Sequence, residues 1–511
     1  MQSDQHPTRL ICCLTSPTAR QMRQDMETAA ARGADTVECR LDYLDRLPDD
    51  AQLERLLKEP PAAVIVTCRP TREGGRYDGD EYARLRVLCR AANLGATVDI
   101  ERDVPVAEAL AVANAARQSQ IIRSHHDFNA VPDNLDQLVA EMEQSAGTVT
   151  KIVFTPSRAE DGFRPLDLLR SRSRDMIALA MGEAGIVSRI LGRKFGAYGT
   201  FTTLNDTAST APGQVNIDLM RNLYRWQSIN ERTAVYGVVG CPIAHSLSPA
   251  IHNAAFEAAA VNAVYVPMLV QSGADNFNRF MDALLERPWL DWRGLSVTIP
   301  HKEAALAYVG PANCEPLAAM IGAVNTITIG PGGTLSGRNT DYAAAIDALC
   351  NAMSLRREEL LDRPVAVLGA GGAARAVVAA LVHYGAQVTV YNRTLSRAKA
   401  LAEEFFCTAK DWSRVASLEA QVVINCTSIG MHPGVDDSPL AQVPPGVEVI
   451  FDTIYNPIET KLLKTARAAG CRTVSGVDMF VNQAVAQFET WTGIQAPREI
   501  MRSVVLKKLQ S

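Results

Sequence analysis

Eight short apolar runs recur in the first 203 residues, with helical patterns between them. They lie at 10–14, 36–41, 63–68, 96–100, 120–124, 149–154, 176–180 and 198–203. The first connection, 18–32, spaces Met22, Met26, Ala29 and Ala30 along one helical face, and Gly33 supplies its C-cap. Strand, helix and strand repeated eight times read as a (β/α)8 barrel, with a doubly wound open sheet as the alternative. A barrel makes a demand on the chain: reactive groups should gather at the C-terminal ends of its strands.

The unusual polar residues stand at those ends. Glu38 and Arg40 close the second run, and a spacing of two puts both on one face while Val37, Cys39 and Leu41 turn to the helices. Arg69 and Glu73 lie in Cys68-Arg-Pro-Thr-Arg-Glu-Gly-Gly75, just past the third run. His126 and Asp127 end the fifth, Arg189 follows the seventh, and Thr210-Ala-Pro-Gly-Gln214 follows the eighth. Lys151 sits inside the apolar sixth run. A lone lysine in a strand ordinarily buries its stem and lifts its amine to the surface. Arginines nearby argue instead for a lowered pKa and a neutral nucleophile that forms a Schiff base with a ketone. His126 is then the base for the acidified carbon–hydrogen bond. Adjacent His125 alternates to the other face and reads as structural. Arg189 with Gln214 would hold a carboxylate.

Taken in order, Glu38-Cys-Arg40, Arg69-Pro-Thr-Arg-Glu-Gly-Gly75, Ser124-His-His-Asp-Phe128, Lys151-Ile-Val, Ser188-Arg189 and Ala211-Pro-Gly-Gln214 resemble the motifs of type I 3-dehydroquinate dehydratases. The resemblance implies that Lys151 is the Schiff-base lysine, that His126 is the general acid/base and that Glu73 assists it. It implies that Glu38, Arg40 and Arg69 bind ring hydroxyls. Thr210 stands where that family often has serine. The reaction implied is loss of water from 3-dehydroquinate to give 3-dehydroshikimate.

A seam at 226–249 ends this pattern. A polar step at 227–233 gives way to a new apolar run, 234–239, which breaks at Gly240 into a loop holding His245, Ser246 and Ser248. Each side has its own motif set, so a cut near Ser228 is expected to give two separately folded halves. The length of 511 residues favours two to four domains. The expected division is 1–229, then 233–340 joined by 478–511, then 341–477. A net charge of −5 points neither to nucleic acid nor to an acidic membrane surface. No apolar run is long enough to span a bilayer, and Met1 to Thr8 carry no export pattern. Eleven scattered cysteines, without zinc spacing, suit free thiols in a reducing cytoplasm and give no metal site.

In the second half, Cys241-Pro-Ile-Ala-His-Ser-Leu-Ser-Pro249 offers the hydroxyls of Ser246 and Ser248, although serine before proline also starts helices. Gly294-Leu-Ser-Val-Thr-Ile-Pro-His-Lys302 places Thr298 and Lys302 past a short strand. Gly322-Ala-Val-Asn-Thr326 and Gly337-Arg-Asn-Thr-Asp341 add Asn325 and Asp341. Arg363 to Ala376 reads as strand, glycine turn and helix start, and satisfies G-x-G-x-x-A with Gly369, Gly371 and Ala374. A dinucleotide pyrophosphate would lie on Gly369, Ala370, Gly371, Gly372 and Ala373. Where an NAD site shows an acid, this chain reads Asn392, Arg393 and Thr394, followed by Arg397, which favours the 2′-phosphate of NADP(H). Thr427, in Asn425-Cys-Thr-Ser-Ile-Gly-Met431, would belong to the next loop over the cofactor.

These motifs together resemble shikimate dehydrogenase. The resemblance implies that Lys302 and Asp341 are the catalytic pair. It implies that Ser246 and Ser248 hold the substrate carboxylate with help from Tyr455, and that Thr298, Asn325 and Gln483 meet ring hydroxyls. Ser296 stands where that family often has Asn, and Tyr342-Ala-Ala344 replaces a common glycine. The leading expectation is a two-reaction enzyme acting on small molecules. A ligand sensor built on the same folds should lack the reactive residues, which are all present. A Schiff-base aldolase-type barrel joined to a quinate dehydrogenase is the catalytic alternative.

Overall fold

The computed structural model describes residues 8–116, 119–145, 147–205 and 211–510. The first eight strands are β1 (Arg9–Leu14), β2 (Thr36–Arg40), β3 (Ala63–Thr67), β4 (Thr97–Glu101), β5 (Ile121–Asp127), β6 (Val149–Phe154), β7 (Asp175–Ala180) and β8 (Gly199–Thr203). All their pairings are parallel, in the order β7-β6-β5-β4-β3-β2-β1-β8. The Tyr198 N–H donates to the Met176 carbonyl at 2.8 Å, which brings β8 against β7 and closes the ring. This is the eightfold barrel expected from the spacing.

Two-residue alternation decides what faces inward. Ile11, Cys13, Ile65, Ile122, Val149, Val153, Ile177 and Phe201 form an inner cluster. Leu10, Cys12, Val37, Cys39, Val66, Ile152 and Ala178 join the layer under the helices. Val149 and Val153 point in, so Lys151 between them does too. β5 runs three residues past 120–124, and His126 and Asp127 end it, as expected.

The second sheet holds β9 (Ala234–Gly240), β10 (Ala263–Leu269), β11 (Trp292–Val297), β12 (Thr326–Ile329) and β13 (Leu335–Arg338), in the order β10-β9-β11-β12-β13. β12 runs antiparallel to both its neighbours. One face, with Tyr236, Val238 and Tyr265, packs on Val477, Val481, Phe488, Met501 and Val505. These belong to two helices, Gly476–Thr492 and Arg498–Gln510.

The other face is covered in part by the barrel. Val235, Val239, Val264, Val266 and Leu295 belong to the same apolar cluster as the barrel's outer layer. The Phe163 ring meets Phe280 at 5.8 Å and Trp292 at 6.4 Å, and Phe195 meets Trp289 at 5.1 Å. Arg287 grips Asp167 with two hydrogen bonds of 2.9 Å. The Lys194 amine donates to the carbonyls of Glu231 and Thr233 at 2.7 and 2.8 Å. Trp226 is fully buried beneath Arg193. The seam is therefore packed, and a cut near Ser228 would leave an apolar sheet face without its cover, against the expectation of two separable halves.

The third sheet holds β14 (Pro364–Leu368), β15 (Gln387–Asn392), β16 (Thr408–Asp411), β17 (Val422–Asn425), β18 (Val449–Asp452) and β19 (Arg472–Val474). All are parallel, in the order β16-β15-β14-β17-β18-β19. The strand order reverses between β14 and β17, and dinucleotides bind at such a switch point in doubly wound sheets. Among the described residues, no helix is long and apolar enough to cross a membrane.

If barrel and second sheet share a core, Phe163→Ala should cost about 3–5 kcal/mol and loosen both. Hydrogen exchange should rise together in β6 and β10. A rise confined to the barrel would show that the halves are independent.

Candidate active sites

The barrel cavity is lined by Glu38, Arg40, Arg69, Glu73, His126, Lys151, Arg189 and Gln214, with Cys13 and Phe201. Thr210 lies outside the described residues. The Lys151 amine donates to Asp99 Oδ2 at 2.9 Å, lies 3.8 Å from Glu38 Oε1 and stands over the Phe201 ring at 4.2 Å. Carboxylates, not the expected arginines, are thus its nearest charged neighbours. Asp99 also takes Ser124 Oγ at 2.5 Å and Arg69 at 2.8 Å. Burial would raise the pKa of Asp99, but Arg69 and Lys151 outweigh it and hold the group ionised, well below the usual carboxylate range. Glu38 accepts from Cys13 Sγ at 2.5 Å and Thr67 Oγ1 at 2.8 Å. Burial opposes its charge, and Lys151 and Arg40 win, lowering its pKa.

The arginines differ in their freedom. Arg40 is forked onto Asp42 at 2.9 and 2.7 Å. Arg69 bridges Asp99 and Glu101, the latter at 2.6 Å. Arg189 is 2% exposed, and among the described residues it has no carboxylate partner, only the Pro212 carbonyl at 3.5 Å. Burial pulls its pKa down to about 10, so a cation waits in the cavity wall for an anion.

On the neighbouring strand, His126 Nδ1 lies 3.1 Å from Glu73 Oε2, and the His126 N–H donates to the same oxygen at 2.9 Å. His125 Nδ1 lies 3.4 Å from Glu73 Oε1. The two oxygens of Glu73 therefore span both histidines, and His125 is not confined to the far face as alternation suggested. Burial, then the charge of Arg69, lowers the His126 pKa to about 4, so the ring is neutral near pH 7. Glu73 stays ionised, its hydrogen bonds to the two histidines outweighing burial. Asp99 was missed in the sequence, although Thr97-Val-Asp-Ile-Glu101 carries acids at the same inward spacing of two as Glu38 and Arg40.

A second cavity, of about 430 Å³, is lined from the second sheet by Ser246, Ser248, Thr298, Lys302 and Asn325. Asp341, Ala373, Tyr455 and Gln483 complete it. Lys302 Nζ stands 2.6 Å from Asp341 Oδ2, with side chains 31% and 22% exposed. Lys302 opens the helix Lys302–Val309. Asp341 sits in the first turn of Thr340–Met353, where Asn339 caps its N–H at 3.1 Å. Ser246 Oγ accepts the Ser248 N–H at 3.3 Å. Tyr455 stacks on Phe480 at 5.2 Å and is partly exposed.

The glycine turn after β14 suits a pyrophosphate. Gly369 has φ +111°, and a Cβ there would meet the Cys426 carbonyl at 3.0 Å. Gly371 caps the helix Gly372–His383 with no side-chain hydrogen bond. A Cβ at Gly371 or Gly372 meets nothing within 4 Å, so there is free space before the first N–H groups. Arg393 and Arg397 are exposed after β15, and among the described residues neither has an ion-pair partner. Asn392 Nδ2 donates to the Thr394 carbonyl at 2.9 Å, which shapes that corner. The Thr427 hydroxyl donates to Asn425 Oδ1 at 2.6 Å and orders its own loop.

Known proteins match in the same order. Type I 3-dehydroquinase matches residues 10–231. The shikimate dehydrogenase substrate binding domain matches 238–327, shikimate / quinate 5-dehydrogenase 352–453, and the shikimate 5′-dehydrogenase C-terminal domain 476–506. A chloroplastic bifunctional 3-dehydroquinate dehydratase/shikimate dehydrogenase of Arabidopsis thaliana is 38% identical over 94% of this chain and 82% of its own length. Shikimate dehydrogenase (NADP(+)) of Methanosarcina barkeri is 42% identical over 54% of this chain and 99% of its own. The crystal structure of shikimate 5-dehydrogenase from Thermus thermophilus, in complex with NADP(H) and shikimate, is 33% identical over 54% of this chain and all of its own, with a TM-score of 0.47. Because one relative runs through both halves without a change of order, the chain belongs to the bifunctional 3-dehydroquinate dehydratase/shikimate dehydrogenase family.

Proposed function

We propose that the barrel dehydrates 3-dehydroquinate through a Schiff base on Lys151, and that the second half reduces the product, 3-dehydroshikimate, to shikimate with NADPH. The observation that carries the reading is Lys151, turned into the barrel cavity on the strand beside the one that carries His126, which is paired with Glu73. Residues 1–229 are the dehydratase on this reading. Residues 233–340 with 478–511 hold the second substrate, and 341–477 hold the dinucleotide. Eleven free cysteines suit a reducing compartment, and we place the enzyme in the cytoplasm.

In the barrel, Arg189 and Gln214 receive the substrate carboxylate, and Glu38, Arg40 and Arg69 receive ring hydroxyls. Neutral His126 takes the proton that Lys151 gives up before attacking the ketone and returns it to the hydroxyl of the adduct, while ionised Asp99 holds the amine in place. Loss of water from that adduct gives an iminium, which acidifies the neighbouring carbon–hydrogen bond. Neutral His126 takes this proton, with Glu73 fixing the ring, and returns it to the departing hydroxyl as water leaves. Hydrolysis of the conjugated iminium frees Lys151.

Gly369, Ala370, Gly371, Gly372 and Ala373 would hold the pyrophosphate of NADP(H), and Arg393 and Arg397 would meet its 2′-phosphate. When bound, the reduced cofactor supplies hydride to the ketone carbon. Ser246, Ser248 and Tyr455 hold the substrate carboxylate, and Thr298, Asn325 and Gln483 hold its hydroxyls. Lys302, paired with Asp341, hydrogen-bonds the ketone oxygen and delivers the proton that makes it an alcohol.

Three outcomes test this reading. Borohydride with 3-dehydroquinate should add ligand mass to the peptide holding Lys151, and Lys151→Ala should lose dehydration but keep shikimate oxidation. Lys302→Ala should slow reduction by about 10²–10⁴-fold and let the enone accumulate, visible by ultraviolet absorbance. An adduct elsewhere, or normal shikimate formation in Lys302→Ala, would refute the assignments.

The pH dependence follows from His126, whose protonated form cannot act as base. Burial and Arg69 depress its pKa, so the base is lost only as pH falls through about 4. Dehydration measured as kcat/KM should hold between pH 7 and 5. A limb centred near the ordinary histidine value, about 6.5, would place the base elsewhere.

Cofactor choice is tested at Arg393. Arg393→Asp should cut the preference for NADPH over NADH by about tenfold or more, since a charge-assisted contact to phosphate becomes repulsion. An unchanged ratio would show that this arginine does not read the phosphate.

A further inference from the structure

A line of buried side chains runs along the wall of the second cavity, where Ser248, Ser296, Asn325 and Gln487 line it and Tyr265 and Thr326 stand behind them. It starts at Ser248, whose side chain is hydrogen-bonded to that of Tyr265. The Tyr265 hydroxyl donates to Ser296 Oγ at 2.6 Å, and Ser296 donates to Gln487 Oε1 at 2.8 Å. Gln487 Nε2 donates to Thr326 Oγ1 at 3.0 Å and to the Asn325 carbonyl at 3.3 Å. Thr326 donates to Asn325 Oδ1 at 2.7 Å, which also takes the Thr340 N–H at 2.8 Å, next to Asp341. Each of the six side chains from Ser248 to Asn325 is more than nine-tenths buried.

We propose that Tyr265 and Gln487 are positioning residues of the dehydrogenase, which lock Ser248 and Asn325 into one spatial relation. This rests on the reading of the second cavity as the shikimate site. Gln487 accepts from Ser296 at its carbonyl end and donates toward Asn325 at its amide end, so it spans the two neighbours. Ser296 is short where the family often has Asn, and Gln487 reaches down from Gly476–Thr492 to meet it. The same helix carries Gln483 one turn earlier, so one rigid piece bears a substrate residue and the bridge.

Tyr265 is clamped from the opposite side. Asn253 pairs with both its backbone groups, at 2.8 and 2.9 Å. The His252 ring stacks on the phenol at 4.5 Å and 13°. Ser248, His252 and Asn253 share the helix Ser248–Ala258. The residue that receives the carboxylate and the residues that fix Tyr265 therefore move as one body. A broken link would strand a buried polar group and loosen both ends of the site.

The test uses the full chain, whose dehydratase rate reports folding independently. Tyr265→Phe keeps the stacked ring, and Gln487→Leu keeps bulk. Each should raise the KM for shikimate about tenfold. The KM for NADP+ and the dehydratase rate should stay within twofold of wild type. The double variant should be no worse than Gln487→Leu alone, because one line has been cut twice. Should Gln487→Leu also lose NADP+ binding, Gln487→Glu, of the same size but without the amide donors, should show the shikimate-specific loss. An unchanged KM for shikimate in the single variants, or losses that multiply, would overturn the proposal. Wild type that fails to oxidise shikimate at all would instead overturn the reading of the cavity.

Discussion

An amine cannot be kept charged inside a barrel without a counter-charge, and that constraint organises the whole first half. Removing an ion from water costs several kcal/mol even after relaxation. Lys151 is met by Asp99, Asp99 by Arg69, Arg69 by Glu101, and Glu101 by Arg84 at 2.7 Å. Arg84 finally reaches Glu81, which is partly solvated. Each neutralises the next, so the reacting amine is tied by alternating charges to the barrel's outside. Arg189 breaks the rule: it is buried and, among the described residues, without a carboxylate. On the reading proposed above, the substrate's own carboxylate completes the pairing, and binding contributes the counter-ion that the protein withholds.

The two sites solve proton transfer under different conditions. Lys151 and Asp99 are nearly inaccessible, with side chains 6% and 0% exposed. The covalent role proposed for Lys151 needs surroundings in which the amine is held in place and water does not compete. Lys302 and Asp341 are about a quarter exposed. The task proposed for them, one proton at one oxygen without a covalent intermediate, tolerates water. Precision there comes from the buried line through Tyr265 and Gln487, and less from exclusion of solvent.

Most of the architecture was legible because it is periodic. Alternation in 149–154 shows that Lys151 turns inward with Val149 and Val153, and the same rule separates Glu38 and Arg40 from Cys39. The glycine turn at 369–373 was legible because a pyrophosphate needs open backbone in a fixed strand–turn–helix context. What escaped was pairing between distant segments. Periodicity says which face a residue takes and nothing about which strand stands opposite. Hence the arginines were placed around Lys151 when Asp99 and Glu38 are closer. His125 was assigned outward because alternation ignores Glu73, a loop residue long enough to touch both histidines. The shared core escaped for the same reason, since Val264 and Val266 show an apolar face without showing that a barrel covers it.

That shared core bears on why the two activities sit on one chain. The short packed seam, with Trp226, Ile229 and Thr233 all buried, leaves no tether on which one half could swing to the other. Joining by proximity of a flexible linker is therefore not what the fusion provides. It provides a covered sheet face. β10, whose Tyr265 underlies the second site, packs its Val264 and Val266 into the cluster that includes Val187 and Ile190 of the barrel. Those two flank Arg189 on the helix Ile186–Leu191. One short helix thus presents a cation to the first site and apolar contacts to the sheet under the second. A substitution that disturbs this helix has consequences on both of its sides, so the chain is one structural unit even though the chemistry stays in two separate cavities.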